Sequence, residues 1–398
     1  MRRLGAGIVA LGFLPLSALA QDEPRLFAPA PTRTAAASDS IPTVRAALDE
    51  PPVPIARPTP EIRSTLSDTE TPVPTPRPPV TYEPQKIAFA DGVGAQFDIA
   101  YASLAGFRPL TLDIYTPRPA PAALPIVLFV HGGGWSSGDS RHAQAFADFP
   151  RALAGLAAQG YVVASINYRL SQEAHFPAAL QDVKAAIRWM RSHAGSFNGD
   201  PTRLAVWGMS AGGQLAAMAG TTCGVMRFEP DANSGANASY DAPSDCAEAV
   251  IDWFGPTDLE NLSADNGGPA KEGFVAAGQT SDEGRYLGCE PAACGPGVIK
   301  LASPLTFVSE NAPPFLIQHG GADTAVSPKQ SQKLYDALKK KGVPAQIVLY
   351  PDAQHGFTKN GSPDPATVTK AMADLTAFLA ASFTDKAPKP GIRHTVAN

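Results

Sequence analysis

Residues 208–212 read Gly208-Met209-Ser210-Ala211-Gly212, with Gly213 directly after. The apolar segment Arg203–Trp207 in front has the length of a strand, and a helix is expected from Ser210 onward. A strand that turns at once into a helix forces unusual backbone angles on the corner residue and leaves no room for side chains beside it. The corner lifts a serine hydroxyl above the sheet edge, where it can attack a carbonyl carbon. An ordinary small-residue turn fits the same five letters, so a second feature is needed. His131-Gly132-Gly133-Gly134-Trp135 follows directly on the apolar run Ile126–Val130. Consecutive glycines let backbone N–H groups turn toward a ligand and let it approach closely. The N–H groups of Gly133 and Gly134, with that of Ala211, are candidates for an oxyanion hole, where losing one donor typically costs about 2.7–4 kcal/mol of barrier. A flexible loop or a phosphate cradle is the competing reading. Neither GxxxxGK[ST] nor GxGxxG accompanies the run, so nucleotide binding is not expected.

A serine hydroxyl is a poor nucleophile until a base takes its proton. Three histidines follow Ser210: His319, His355 and His394. His394 lies in a polar C-terminal stretch, and His319 ends an apolar segment where it is expected to pack. His355, in Pro351-Asp352-Ala353-Gln354-His355-Gly356-Phe357, sits on a loop between a strand and the last helix, and is the candidate base. The third member of such a set orients the imidazole and stabilises its protonated form. Asp323, in His319-Gly320-Gly321-Ala322-Asp323-Thr324, is the candidate acid. Asp258, in Gly255-Pro256-Thr257-Asp258, leaves an earlier strand and is the alternative, while Asp352 reads as a turn residue. Acyl transfer by these groups requires no metal or cofactor.

Those loops need a frame. Phe97–Tyr101, Leu110–Tyr115 and Ile126–Val130 are short and β-rich. Strands then alternate with helices: Tyr161–Ile166, helix Ala178–His193, Arg203–Trp207, helix from Ser210, Val250–Phe254, Phe315–Gln318, helix Pro328–Lys341, Gln346–Tyr350, helix Pro365–Ser382. An antiparallel start followed by βαβ alternation predicts an α/β fold, one mostly parallel twisted sheet with helices on both faces. Chemistry on such a sheet belongs at the carboxyl ends of the strands. Leu259–Ile299, rich in Gly, Asp, Glu and Pro, is expected to cross the top of the sheet as a lid or specificity loop.

The chain has 398 residues, 44% of them hydrophobic, and a net charge of −5 without a sustained basic run. That excludes a nucleic-acid surface and a strong electrostatic hold on anionic membranes. Arg2 and Arg3, the apolar stretch Leu4 to Leu16 and Ala18-Leu19-Ala20 read as a cleaved export signal over residues 1–20. The apolar run is short for a span of about 20 residues and contains Pro15, so stable membrane insertion is not expected. With no cysteine near the cleavage site, a lipid anchor is not expected either. Fifteen of the 40 prolines fall between Gln21 and Pro84, which predicts a disordered spacer over 21–84. The catalytic domain is expected over 85–384, with a flexible tail over 385–398. Four cysteines in an exported chain suggest two disulfides. Sequence neighbours are the simplest pairing, Cys223–Cys246 and Cys289–Cys294; a metal site lacks any CxxC pair or nearby histidine.

Taken with Asn167-Tyr168-Arg169-Leu170, Phe176-Pro177-Ala178, Asp200-Pro201-Thr202-Arg203 and Phe254-Gly255-Pro256-Thr257-Asp258, these motifs resemble the hormone-sensitive-lipase-like esterases. They are more similar still to the bifunctional feruloyl/acetylxylan esterase-like hydrolases of the α/β-hydrolase superfamily, over about residues 85–383. The resemblance implies an α/β-hydrolase fold and a triad of Ser210, Asp323 and His355. It also implies an oxyanion hole of Gly133, Gly134 and Ala211, and a structural ion pair of Arg169 with Asp182. The implied substrates are small-molecule or polymeric carboxylic esters with short or aromatic acyl groups. Two departures bear on specificity. Met209 stands where many relatives carry an acid, His or Gln, and a proline-rich stretch replaces the helical cap of the lipase-like branch, so a more open cleft is expected. A lipase or polyesterase is one rival reading. A prolyl-oligopeptidase-type peptidase is another, but its propeller has no room here. A non-catalytic binding protein of this fold is the third, and such proteins usually lose a triad member.

Overall fold

A computed structural model of the chain describes residues 84–118, 122–229, 243–268 and 280–384. The expected export signal, the spacer apart from Pro84, the C-terminal tail and His394 lie outside the described residues.

Among the described residues nine strands form one sheet: β1 (Gln85–Ala88), β2 (Val93–Ala102), β3 (Leu110–Pro117), β4 (Leu124–Val130), β5 (Val162–Ile166), β6 (Gly199–Met209), β7 (Ala249–Trp253), β8 (Phe315–Gly320) and β9 (Ala345–Tyr350). Their spatial order is β1-β2-β3-β5-β4-β6-β7-β8-β9. The β1/β2, β2/β3 and β3/β5 pairs are antiparallel, and every pair from β5 to β9 is parallel. This is the α/β-hydrolase arrangement expected above. The central strands read as continuous apolar runs because helices cover both faces: every residue of β5 and β7 is buried. A two-strand hairpin, β10 (Thr358–Lys359) and β11 (Ser362–Pro363), stands apart from the sheet.

The helices are α1 (Phe149–Ala158), α2 (Ala178–His193), α3 (Ala211–Thr221), α4 (Leu262–Asp265), α5 (Asp282–Leu287), α6 (Pro296–Leu301), α7 (Pro328–Lys340) and α8 (Pro365–Thr384). On one face Leu180, Val183 and Ile187 of α2, Leu215 of α3 and Leu334 of α7 pack on the sheet. On the other, Phe149 and Leu153 of α1 share a core with Leu375 and Phe378 of α8. β1 and α1 were not anticipated from sequence. α1 carries a start signal nonetheless, since the Asp148 side chain accepts from the Arg151 N–H and Pro150 occupies the first turn. The segment Leu259–Ile299 holds α4, α5 and the start of α6, which runs on to Leu301.

Both expected disulfides are present, Cys223–Cys246 and Cys289–Cys294. The first lies beside a fully buried pair, Lys184 and Asp245, in which Lys184 Nζ also donates to Thr222 O at 2.7 Å. Among the described residues no helix is long and apolar enough to cross a membrane.

Candidate active site

β6 ends at Met209 and α3 begins at Ala211, leaving Ser210 alone at the corner with φ 55° and ψ −121°. A non-glycine residue held there costs about 1–3 kcal/mol, and it persists only where the surroundings over-determine it. Ser210 N–H donates to Trp253 O at 2.9 Å, and Ser210 O accepts from Gln214 N–H at 3.0 Å. Gly212 is required by close approach: a Cβ there would lie 2.1 Å from Val130 O. The first turn of α3 therefore rests directly on the end of β4. Trp135, Phe254 and Phe357 also take positive φ, and Trp135 and Phe254 border the same cleft as Ser210.

His355 opens a short 3-10 turn, His355–Phe357, after β9. Its Nε2 lies 2.9 Å from Ser210 Oγ and its Nδ1 lies 2.7 Å from Asp323 Oδ2. Because a carboxylate only accepts, Nδ1 carries the hydrogen and Nε2 is free to accept from the serine hydroxyl. The Phe254 ring stands edge-on to the imidazole, with centroids 4.9 Å apart. Asp323 sits on the loop after β8, and its Oδ1 accepts from the N–H groups of Ala325 and Val326, each at 2.9 Å. Burial alone would raise this carboxyl, but the hydrogen bonds from His319 and His355 outweigh it and hold it well below the usual carboxylate range.

The alternatives lie elsewhere. Asp258 accepts from Asn261 and from Lys333 Nζ, both at 2.8 Å. Asp352 is exposed and faces Lys359 at 3.8 Å. His319 does pack, as expected, but as a polar group: its Nδ1 is 2.6 Å from Ser331 Oγ, and its Nε2 is 3.1 Å from Asp323 Oδ2 and 2.9 Å from Val326 O.

The glycine loop after β4 arches over the serine. Gly133 has φ +104°, and a Cβ there would meet Ser137 O at 2.3 Å, so only glycine fits. Its carbonyl is turned away, accepting from the N–H groups of Ser136 and Ser137. Ala211 N–H belongs to the first turn of α3, whose donors have no partner within the helix. His131 braces the loop from below, with its ring stacked on Tyr168 at 4.2 Å and its Nδ1 2.7 Å from Gly132 O. Burial pushes this imidazole down to about 4, so it is neutral at neutral pH. Trp135 Nε1 donates to Gln214 Oε1 at 3.0 Å, and Gln214 Nε2 donates to Ala302 O at 2.7 Å, tying the loop to α3 and α6.

The cleft above these groups encloses about 1810 Å³. Asp282 of α5 forms part of its wall, with a carboxylate packed on the Cα of Gly134 and an ion pair to Arg285. Arg141 also borders the cleft and is anchored on buried Asp113 through Nε at 2.8 Å and a second nitrogen at 2.9 Å. Sequence reasoning missed this pair, which spans 28 residues and becomes visible only when β3 lies next to β5. Arg169 and Asp182 form the implied buried ion pair, at 2.6 Å.

A half-buried serine on a strand–helix corner, an imidazole on its hydroxyl and a carboxylate behind that imidazole, all at the carboxyl ends of parallel strands, define an α/β-hydrolase of the serine type. The comparisons sharpen this class. The BD-FAE family model matches residues 112–338, and the chain belongs to that family. It is 34% identical over 250 residues to Esterase LipC of Mycobacterium tuberculosis, covering 62% of this chain and 56% of LipC. The chain thus spans little more than half the length of that curated relative. A truncated carbohydrate esterase from gut microbiota shares 31% identity at TM-score 0.61, covering 76% of this chain and all of that one. Esterase 2 of Thermogutta terrifontis, in a structure phosphorylated by paraoxon, shares 25% identity at TM-score 0.55, covering 73% and 96%.

Proposed function

We propose that this chain is a serine carboxylesterase acting through a Ser210–His355–Asp323 triad. The observation that carries the reading is the unbroken line from Ser210 Oγ through His355 to Asp323 Oδ2, at 2.9 and 2.7 Å. His355 Nε2 takes the hydroxyl proton as Ser210 Oγ bonds to the ester carbonyl carbon. The charge that develops on the carbonyl oxygen is met by the N–H groups of Gly133, Gly134 and Ala211. His355 then protonates the leaving alcohol, and water enters by the same route in reverse to release the acid and free Ser210. Asp323 stays ionised throughout, holding the imidazole in the required tautomer.

The substrates are small-molecule or polymeric esters of short or aromatic acids, including esters on saccharides. A cleft of about 1810 Å³ with a charged wall supports this, as does the likeness to a carbohydrate esterase. The protein works after export, in the periplasm or outside the cell, on the reading of residues 1–20 as a signal. The direct test is p-nitrophenyl acetate hydrolysis by the wild type and Ser210→Ala. The variant is expected to lose about 10⁴–10⁶ in kcat. It should also resist paraoxon, whose phosphorus is expected to bond to Ser210 Oγ of the wild type with loss of p-nitrophenolate. Equal rates for the two proteins would sink the reading.

A further inference from the structure

Asp323 accepts four N–H groups, two on each oxygen. Three of its partners are explained, by the loop backbone and by His355. The fourth, His319, is fully buried on β8 and does not border the cleft among the described residues. Its Nε2 faces only acceptors, Asp323 Oδ2 and Val326 O, so that nitrogen carries a hydrogen in either charge state. Its Nδ1 meets Ser331 Oγ on α7. The ring is thereby fixed by three separate pieces of chain: β8, the loop after it, and α7. The Phe254 ring stands edge-on to His319 and His355 alike.

We propose that His319 is a positioning residue, whose Nε2–H holds the Asp323 carboxylate in the orientation that aims His355 at Ser210. The proposal rests on the triad reading given above. Without His319, Oδ2 keeps one partner and the carboxylate can swing about its last torsion, carrying the His355 ring with it. A misplacement of about 1 Å in a catalytic group can cost about 10²-fold in rate. Neither imidazole nitrogen of His319 meets substrate, so the loss falls on kcat and leaves KM unchanged.

The experiment measures steady-state p-nitrophenyl acetate hydrolysis on the full chain, with the melting temperature recorded for each variant. His319→Leu is expected to lose about 10–100-fold in kcat with KM within about twofold. His319→Gln, whose amide N–H reaches the same oxygen, should recover to within about fivefold of the wild type. In an Asp323→Asn background, assayed at high enzyme concentration, adding His319→Leu should cost less than about twofold more, because the two residues act as one unit. Equal losses for the Leu and Gln variants, or a full further loss on Asp323→Asn, would overturn the proposal. Should His319→Leu not fold, Ser331→Ala carries the test: a loss of about 3–10-fold in the wild-type background and none on Asp323→Asn supports it, and any other pattern overturns it. Ser210→Ala with wild-type activity would instead remove the triad reading itself, and is scored separately.

Discussion

Two carboxyl groups buried at the carboxyl end of this sheet behave in opposite ways. Asp323, after β8, is 6% exposed, and Asp252, on the adjacent β7, is fully buried. Burial disfavours the charged form of both. Asp323 collects four N–H donors, whereas Asp252 Oδ1 takes one, from Gly255 at 2.9 Å, and its Oδ2 has no partner among the described residues. Asp323 is accordingly held far below the ordinary range, while burial pushes Asp252 up to about 6, with the Gly255 N–H and nearby His319 only partly offsetting it. Depth does not separate the proposed catalytic partner from its neighbour on this sheet. The number of donors aimed at the carboxylate does.

The comparison is broken most decisively through activity. Asp323→Asn replaces the acceptor facing His355 Nδ1 with an amide that can favour the wrong tautomer, and a loss of about 10⁴ in kcat is expected. Asp258→Asn disturbs only a contact with Asn261 and Lys333, and Asp252→Asn touches neither the serine nor the histidine. Both should stay within about tenfold of the wild type on p-nitrophenyl acetate. A loss at Asp252 as large as at Asp323 would show that donor count does not identify the working carboxylate.

The same contrast marks where the sequence stops being informative. Ser210 and the glycines after β4 are readable because backbone demands at consecutive positions select small residues. Asp323 and His355 are readable from chain order and from their place after strands. Helix boundaries followed apolar periodicity, and α2 has the bounds expected for it. Asp252 carries no local signal. It reads as one polar residue in the strand AVIDW, and its isolation depends on β6 and β8 flanking it and on α3 lying above it. The Asp113–Arg141 pair is hidden for the same reason. His319 reads from its sequence as a packing residue, and it is buried. Its bond to Asp323 depends on how the loop between them curls back, and spacing alone does not specify that.

Stability offers a second, smaller break. Removing the Asp323 charge leaves four buried donors facing one neutral amide, so Asp323→Asn is expected to lose about 2–4 kcal/mol at pH 7. A depressed folded-state carboxyl contributes stability that is present above its unfolded value, about 3.9, and is lost as pH falls through the folded value. The gap between wild type and Asp323→Asn in urea midpoint should therefore be widest near neutrality and close in acid. A gap that widens below about pH 4 would contradict the assigned charge state.

Asp252 runs the other way and gives the smallest effect. Its folded-state value, about 6, lies above the unfolded one, so the neutral form is the stabilised form. That contribution is complete below about pH 4 and disappears as pH rises through about 6, since the folded chain must then either ionise a carboxyl with one donor or keep the proton at a cost. A separation of about two pH units corresponds to at most about 3 kcal/mol between the two ends of the window. Asp252→Asn cannot titrate. Its amide oxygen can retain the Gly255 N–H, and its unpartnered NH₂ group adds a cost that does not vary with pH. The sign of the stability difference at any single pH is therefore less informative than its slope. Between pH 4.5 and pH 8, stabilities from urea unfolding should move in favour of Asp252→Asn by an amount on the order of 2 kcal/mol. A pH-independent difference would mean that Asp252 finds a second donor in solution, and that the two carboxyls are more alike than their contacts imply.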